Sequence, residues 1–212
     1  IAAIFSTIAK LSSVVKRTIN GVTRRYVEYF ASADFGTDVT DAFFVDSGLT
    51  YSGTSTSSIT GLDHLEGQAV ALLEEGSTHP VENVSSGAIA TDRATTKAHV
   101  GLGFISTLTT PRMEIAMPSG TSQALLKKIY NITVRFYRTV GAEVGTSENN
   151  LDIIPFRDSS DSMDTAVPLF TGDKTIEAQP TWDTYGSVVV RQSQPLPMTV
   201  VSIYPSVDIQ ER

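Results

Sequence analysis

The chain has no cysteine in 212 residues, so neither a disulfide framework nor a thiolate metal site is open to it. Histidine is nearly as scarce: His64, His79 and His99 stand apart, and none has a neighbour at the short spacings typical of zinc motifs. No run approaches the roughly 18 uninterrupted apolar residues of a membrane helix. The opening IAAIFSTIAKLSS lacks the charged start and cleavage site of a signal peptide, so the expectation is a chain neither membrane-inserted nor secreted. Positive charge is in deficit, with 16 basic against 23 acidic residues and a net charge of -7, which argues against a general nucleic-acid clamp. A G-x-S-x-G elbow and a phosphate-binding glycine loop are both missing, and Gly101-Leu-Gly103 lacks the third glycine and the following helix.

What is present is an ordinary globular balance, 41% hydrophobic and 18% charged, long enough for one large or two small domains. The first residue is Ile, inside an apolar run, and the expectation is the ordered part of a longer polypeptide. Period-two alternation dominates. In ITVRFYR, Ile132, Val134 and Phe136 share one face and Thr133, Arg135 and Tyr137 the other, the signature of a strand with one buried side. LSSVVKRTI and VTRRYVEYF flank Asn20-Gly21, a pair suited to the positive φ angles of a two-residue hairpin turn, which predicts a hairpin over residues 11–30. Further strands are predicted at AFFVDS, QAVALLE, GAIAT, KAHVGLGF, NLDIIPF, SVVVRQS and PMTVVSIY. Helix signals are few: Ser119 or Thr121 could cap a short turn through SQALLKK, but the β-branched run after Lys128 favours extended backbone.

These patterns predict an all-β fold of β-sandwich or small β-barrel modules in three segments. Residues 1–40 read as the end of an upstream β-sheet region. Residues 41–110, with glycines at 48, 53, 61, 67, 76 and 87, suit a small barrel-like module, and residues 111–212 suit a sandwich-like module. Pro195 and Pro197 cannot donate ladder hydrogen bonds, so QPLP is expected to connect two strands.

Candidate chemistry is thin, and no catalytic, cofactor-binding or metal-binding residue is assigned. Asp158, Asp161 and Asp164 recur every three residues, whereas a calcium loop wants oxygens at alternating positions and a central glycine, so a solvated acidic loop is expected. Asp63 and Glu66 imitate an acid/base pair but read more simply as a turn before a strand. Asn83-Val-Ser85 and Asn131-Ile-Thr133 match the glycosylation pattern by chance. Arg24 with Arg25, Lys127 with Lys128, and Arg135 with Arg138 are expected to be solvated strand residues. Trp182 and Tyr185 in TWDTYG are the best candidates for a sugar platform, against a plainer reading as core or edge aromatics.

Four stretches in order carry a resemblance: VVKRTINGVTRRYVEYF, then DAFFVDSGLTYSG with ITGLDHLEGQAVALLEEG, then HVGLGF, then LFTGDKTI with VVVRQSQPLPMTVVSIYPSVD. Together they resemble the C-terminal part of the tail nozzle, or packaged-DNA stabilization, proteins of short-tailed phages. The resemblance implies strands following a β-propeller-like region. It also implies a homo-oligomeric, hexameric ring below the portal and adaptor, beside tail fibre or tail-tip proteins, with double-stranded DNA passing through it without sequence-specific binding. Location would be the virion tail, assembled in the host cytoplasm, with no enzymatic activity and no cofactor. The alternative is a receptor- or carbohydrate-binding β-module of a tail adhesion device.

Overall fold

A computed structural model describes residues 11–118, 120–179 and 181–210. The chain is all-β, with 58% of residues in strands. Its strands, in chain order, are β1 (Ser12–Ile19), β2 (Val22–Tyr29), β3 (Asp46–Thr60), β4 (Ala69–Glu74), β5 (Ser77–Asn83), β6 (Ala88–Leu102), β7 (Ser106–Thr109), β8 (Ala116–Met117), β9 (Gly120–Thr121), β10 (Lys127–Thr139), β11 (Glu143–Ser147), β12 (Asn150–Ile153), β13 (Phe170–Glu177), β14 (Trp182–Asp183), β15 (Val189–Gln192) and β16 (Val200–Ile209). Every pairing among them is antiparallel. Among the described residues, helical backbone is confined to two single 3-10 turns, Val39–Asp41 and Asp63–Leu65. Ser119 lies outside the described residues. Thr121 caps only a turn, its hydroxyl accepting from the Gln123 amide at 3.2 Å.

Hairpin β1–β2 forms as the sequence predicts, with Asn20 at φ 49° and Gly21 at φ 74°, the two positive angles a tight turn needs. Three four-stranded sheets make up the body. One has the order β3-β6-β4-β5, another β12-β11-β15-β7; in the third, β16 runs along one side of β10 while β13 and the short β14 follow each other along the opposite side.

The β10 sheet and the β11–β15 sheet bury their facing sides together. Ile132, Val134 and Phe136 of β10 share one cluster with Val144 of β11 and Val190 of β15, and Phe156 packs edge-on to Phe136 with ring centroids 5.4 Å apart. Strand β10 keeps its inward face through a change of phase. Lys127 and Ile129 are buried at odd positions, then a bulge between Ile129 and Asn131 moves burial to Ile132, Val134 and Phe136. An extra residue in one strand shifts alternation by one, which is what restores the apolar side to the core.

The β3-β6-β4-β5 sheet has its own cluster of Ile59, Leu62, Leu65, Val70, Leu72, Ile89 and Val100, to which the hairpin contributes Ile19. A smaller cluster of Val39, Ala42, Leu73, Val140 and Leu196 joins this sheet to the sandwich.

Several strand boundaries differ from the sequence expectation. AFFVDS is not a strand over Ala42–Val45: Phe43 meets the His99 ring and Phe44 meets Phe35, so these side chains plug gaps in different directions instead of alternating. GAIAT and KAHVGLGF merge into the single strand β6. Strand β5, Ser77–Asn83, was not expected because it is polar and contains Pro80. It pairs only with β4, and the register shift between Val70 and Leu72 lies opposite the proline, where no ladder donor is required. QPLP links β15 to β16 as expected, with Leu196 buried beneath it.

Candidate functional site

The three histidines fall in three separate environments. His64 Nε2 donates to the Ser47 carbonyl at 2.8 Å. His99 is 4% exposed; its Nε2 donates to the Thr40 carbonyl at 2.9 Å while Nδ1 accepts from the Thr50 hydroxyl at 2.8 Å, which fixes the neutral tautomer. Burial pushes the His99 ring below the ordinary imidazole range. His79 Nδ1 donates to the Pro80 carbonyl at 2.9 Å, and its Nε2 lies 3.4 Å from the Asp92 carboxylate. Among the described residues, no three His, Asp or Glu side chains converge as metal ligands.

Glu66 accepts the amides of Ser86 and Gly87 at 3.0 and 2.8 Å, and Asp63 sits in the 3-10 turn just before β4, its carboxylate beside Gly87. Both carboxylates are thereby committed to turns. Asp158 and Asp161 brace their own loop, the Asp158 amide donating to Asp161 Oδ2 at 2.7 Å.

Only in part are the basic pairs solvated strand residues. Arg24 and Arg25 face opposite sides of the hairpin, pairing in register with Arg17 and Lys16. Arg135 grips Asp173 through two 2.7 Å hydrogen bonds in the open, which lowers the Asp173 carboxyl and raises the guanidinium. Arg138 reaches the Gly36 carbonyl at 2.7 Å. Lys127 overturns the expectation outright: it is 1% exposed, and its ammonium donates to the carbonyls of Ser122 and Thr184 at 2.9 and 3.1 Å. It stands at the inward phase of β10, and the carbonyls replace the water it gives up.

Trp182 and Tyr185 are half-exposed edge aromatics, each with a cation over its ring: Lys128 at 5.9 Å from Trp182 and Arg112 at 5.7 Å from Tyr185.

The feature sequence reasoning did not single out is the outer face of the β1–β2 hairpin. Its inner face is anchored by Ile19, by Tyr26 edge-on to His64, and by Arg17, which takes both oxygens of Glu28 at 3.2 and 3.1 Å and reaches Asp46 at 2.9 Å. On the other face Val14 and Val27 stand directly opposite one another, 68% and 78% exposed. Among the described residues β1 and β2 form a two-stranded sheet of their own. The hairpin is basic, with Lys16, Arg17, Arg24 and Arg25 against the single Glu28, in a chain of net charge -7.

No protein-family model matches the chain, and no curated protein matches it in sequence.

Proposed function

We propose that this chain is a structural protein of a phage tail, part of the nozzle that retains packaged DNA and passes it on ejection, and that it works by docking to copies of itself and to neighbouring tail proteins. The observation that carries this reading is the β1–β2 hairpin, a basic two-stranded arm of an acidic chain with an exposed Val14–Val27 pair. An exposed apolar face of this kind suits contact with another chain, and opposite charge on the next copy suits a head-to-tail contact that closes into a ring. The ordered resemblance to tail nozzle proteins supports the same reading, since its quoted stretches include the hairpin, the β3–β4 connection, the end of β6 and the β13, β15 and β16 strands.

Passage of DNA requires weak attraction, because each neutralised phosphate adds salt-dependent affinity. The net charge of -7 and the capture of Arg17, Arg135 and Arg138 by carboxylates are in keeping with a low-friction wall. The alternative, a receptor- or carbohydrate-binding tail module, draws on the half-exposed rings of Trp182 and Tyr185.

A reconstruction of the particle tests the proposal. A ring of copies on the tail axis, with the hairpin at the subunit boundary, is the expected outcome, and a peripheral single copy would overturn it.

A further inference from the structure

Independently of the virion reading, we propose that the cavity floored by Glu74 binds an uncharged sugar, one hexose-sized unit. Glu74 ends β4, whose side chains Val70, Leu72 and Glu74 share one face. The first two belong to the core of the β3-β6-β4-β5 sheet, and the carboxyl follows them in at 2% exposure. The two-residue turn after it, Glu75 at φ 48° and Gly76 at φ 78°, leads directly into β5 and leaves the carboxyl at the end of the hairpin.

Oε1 of Glu74 is buried without a hydrogen-bond donor among the described residues, and the nearest cation, Arg93 Nε, stands 3.8 Å away, beyond hydrogen-bond distance. Burial pushes this carboxyl above the ordinary range, with Arg93 opposing. A buried acceptor left unmade is a cost to the fold and calls for a donor from outside the described residues.

Above Glu74 lies a cavity of about 330 Å³, at the small end of ligand-sized pockets. One wall is the start of β5, with Ser77, Thr78 and His79; another is Arg93; the third is the 157–165 loop. That loop is held in shape by Arg157, whose guanidinium takes the carbonyls of Ser162 and Thr165, the latter at 2.7 Å. That wall is therefore preorganised.

The lining chooses the ligand. Glu74 already has a positive charge beside it in Arg93, so what it lacks is a donor and not a cation. A second cation would compete with Arg93 for one desolvated carboxyl, and an anion would face Glu74, Asp92 and Asp164 while the Arg157 guanidinium is turned to the carbonyls of Ser162 and Thr165. A hydroxyl meets both requirements without adding charge: it donates to Glu74 and accepts from Arg93. Ser77, Thr78 and Thr165 offer further hydroxyl partners, while Pro80 and Met163 give apolar contact for a ring's C–H face. Several hydroxyls on a compact, uncharged body describe a sugar.

Chemical-shift titration of the labelled chain with N-acetylglucosamine, galactose and glucose tests this, with methylguanidinium as the cationic comparison. The expected result is saturable shifts at Glu74–Pro80, Asp92–Arg93 and 163–165 with at least one sugar, and a dissociation constant on the order of 1 mM. Glu74→Leu extends the apolar row and keeps the fold, confirmed by an unchanged spectrum elsewhere, yet weakens that binding by about tenfold or more. Shifts confined to Trp182 and Tyr185, binding of methylguanidinium in preference to every sugar, unaltered affinity in Glu74→Leu, or no response to the three sugars each overturn the proposal.

Discussion

Strand β10 and the β1–β2 hairpin are written in the same alternating pattern, and they end in opposite circumstances. Strand β10 has β16 on one side and β13 with β14 on the other, and its apolar face is closed over by a second sheet. The hairpin has one face anchored through Ile19, Tyr26 and Arg17, and the other, with Val14 and Val27, open. Alternation specifies which side chains travel together; whether that side is covered depends on what else the chain brings to it. Stability belongs to the first region and contact with other chains to the second.

Removing the largest core side chain of each region is the strongest way to test this division. Phe136→Ala takes a 1%-exposed ring from the sandwich and should destabilise by about 3–5 kcal/mol, whereas Ile19→Ala, at the margin of its cluster, should cost about 2 kcal/mol. Denaturant unfolding measures both. Equal losses would mean that the hairpin is as integral to the core as β10.

Protonation separates the regions next, because Glu74 and His99, both buried and both shifted by that burial, lie in the β3-β6-β4-β5 sheet. The folded carboxyl of Glu74 is raised, so between its unfolded and folded values the native state holds more protons and stability falls as pH rises. His99 is lowered, so its contribution is present above the unfolded imidazole value of about 6.5 and is lost as pH falls through the folded value. Thermal unfolding of Glu74→Gln should therefore gain on the parent as pH climbs through the carboxylate range and then level off. A difference that is flat from pH 4 to 8 would show the carboxyl to be solvated.

How much of this was legible in the sequence follows the same physics. Asn20-Gly21 and the alternation of Ile132, Val134 and Phe136 were readable because a turn dipeptide and a one-sided strand are local signals. Strands β3 and β5 were not: both are edge strands, predominantly polar, held by backbone pairing that leaves no apolar period. Ala42–Val45 misled in the opposite sense, apolar enough for a strand but used as a plug between clusters. The burial of Lys127 could have been suspected from its place two before Ile129, and that of Glu74 from its place two after Leu72; reading charge alone put Lys127 on the surface. The exposure of Val14 and Val27 had no sequence signal, since nothing local says whether an apolar face has a cover.

The smallest expected effect on the isolated chain is at that uncovered face. Val27→Lys places a charge where 78% of the side chain already meets water, opposite Val14 and flanked in register by Arg25 and Tyr29 of the same face. Exposed substitutions that break no packing or hydrogen bond change stability by about 0.5 kcal/mol or less. Strand propensity adds little, since Lys and Val differ within the roughly 1 kcal/mol span of the β scale and the hairpin is an edge. Any interface that covers the Val14–Val27 pair, by contrast, would have to take an ammonium into a contact shaped for two apolar side chains, a cost of several kcal/mol. The variant should therefore unfold at the parent's temperature and yet fail to enter particles, measured as its loss from purified virions in a complementation assay. A melting temperature several degrees lower would mean that the face is covered within the chain itself, and normal incorporation would move the docking surface away from the hairpin.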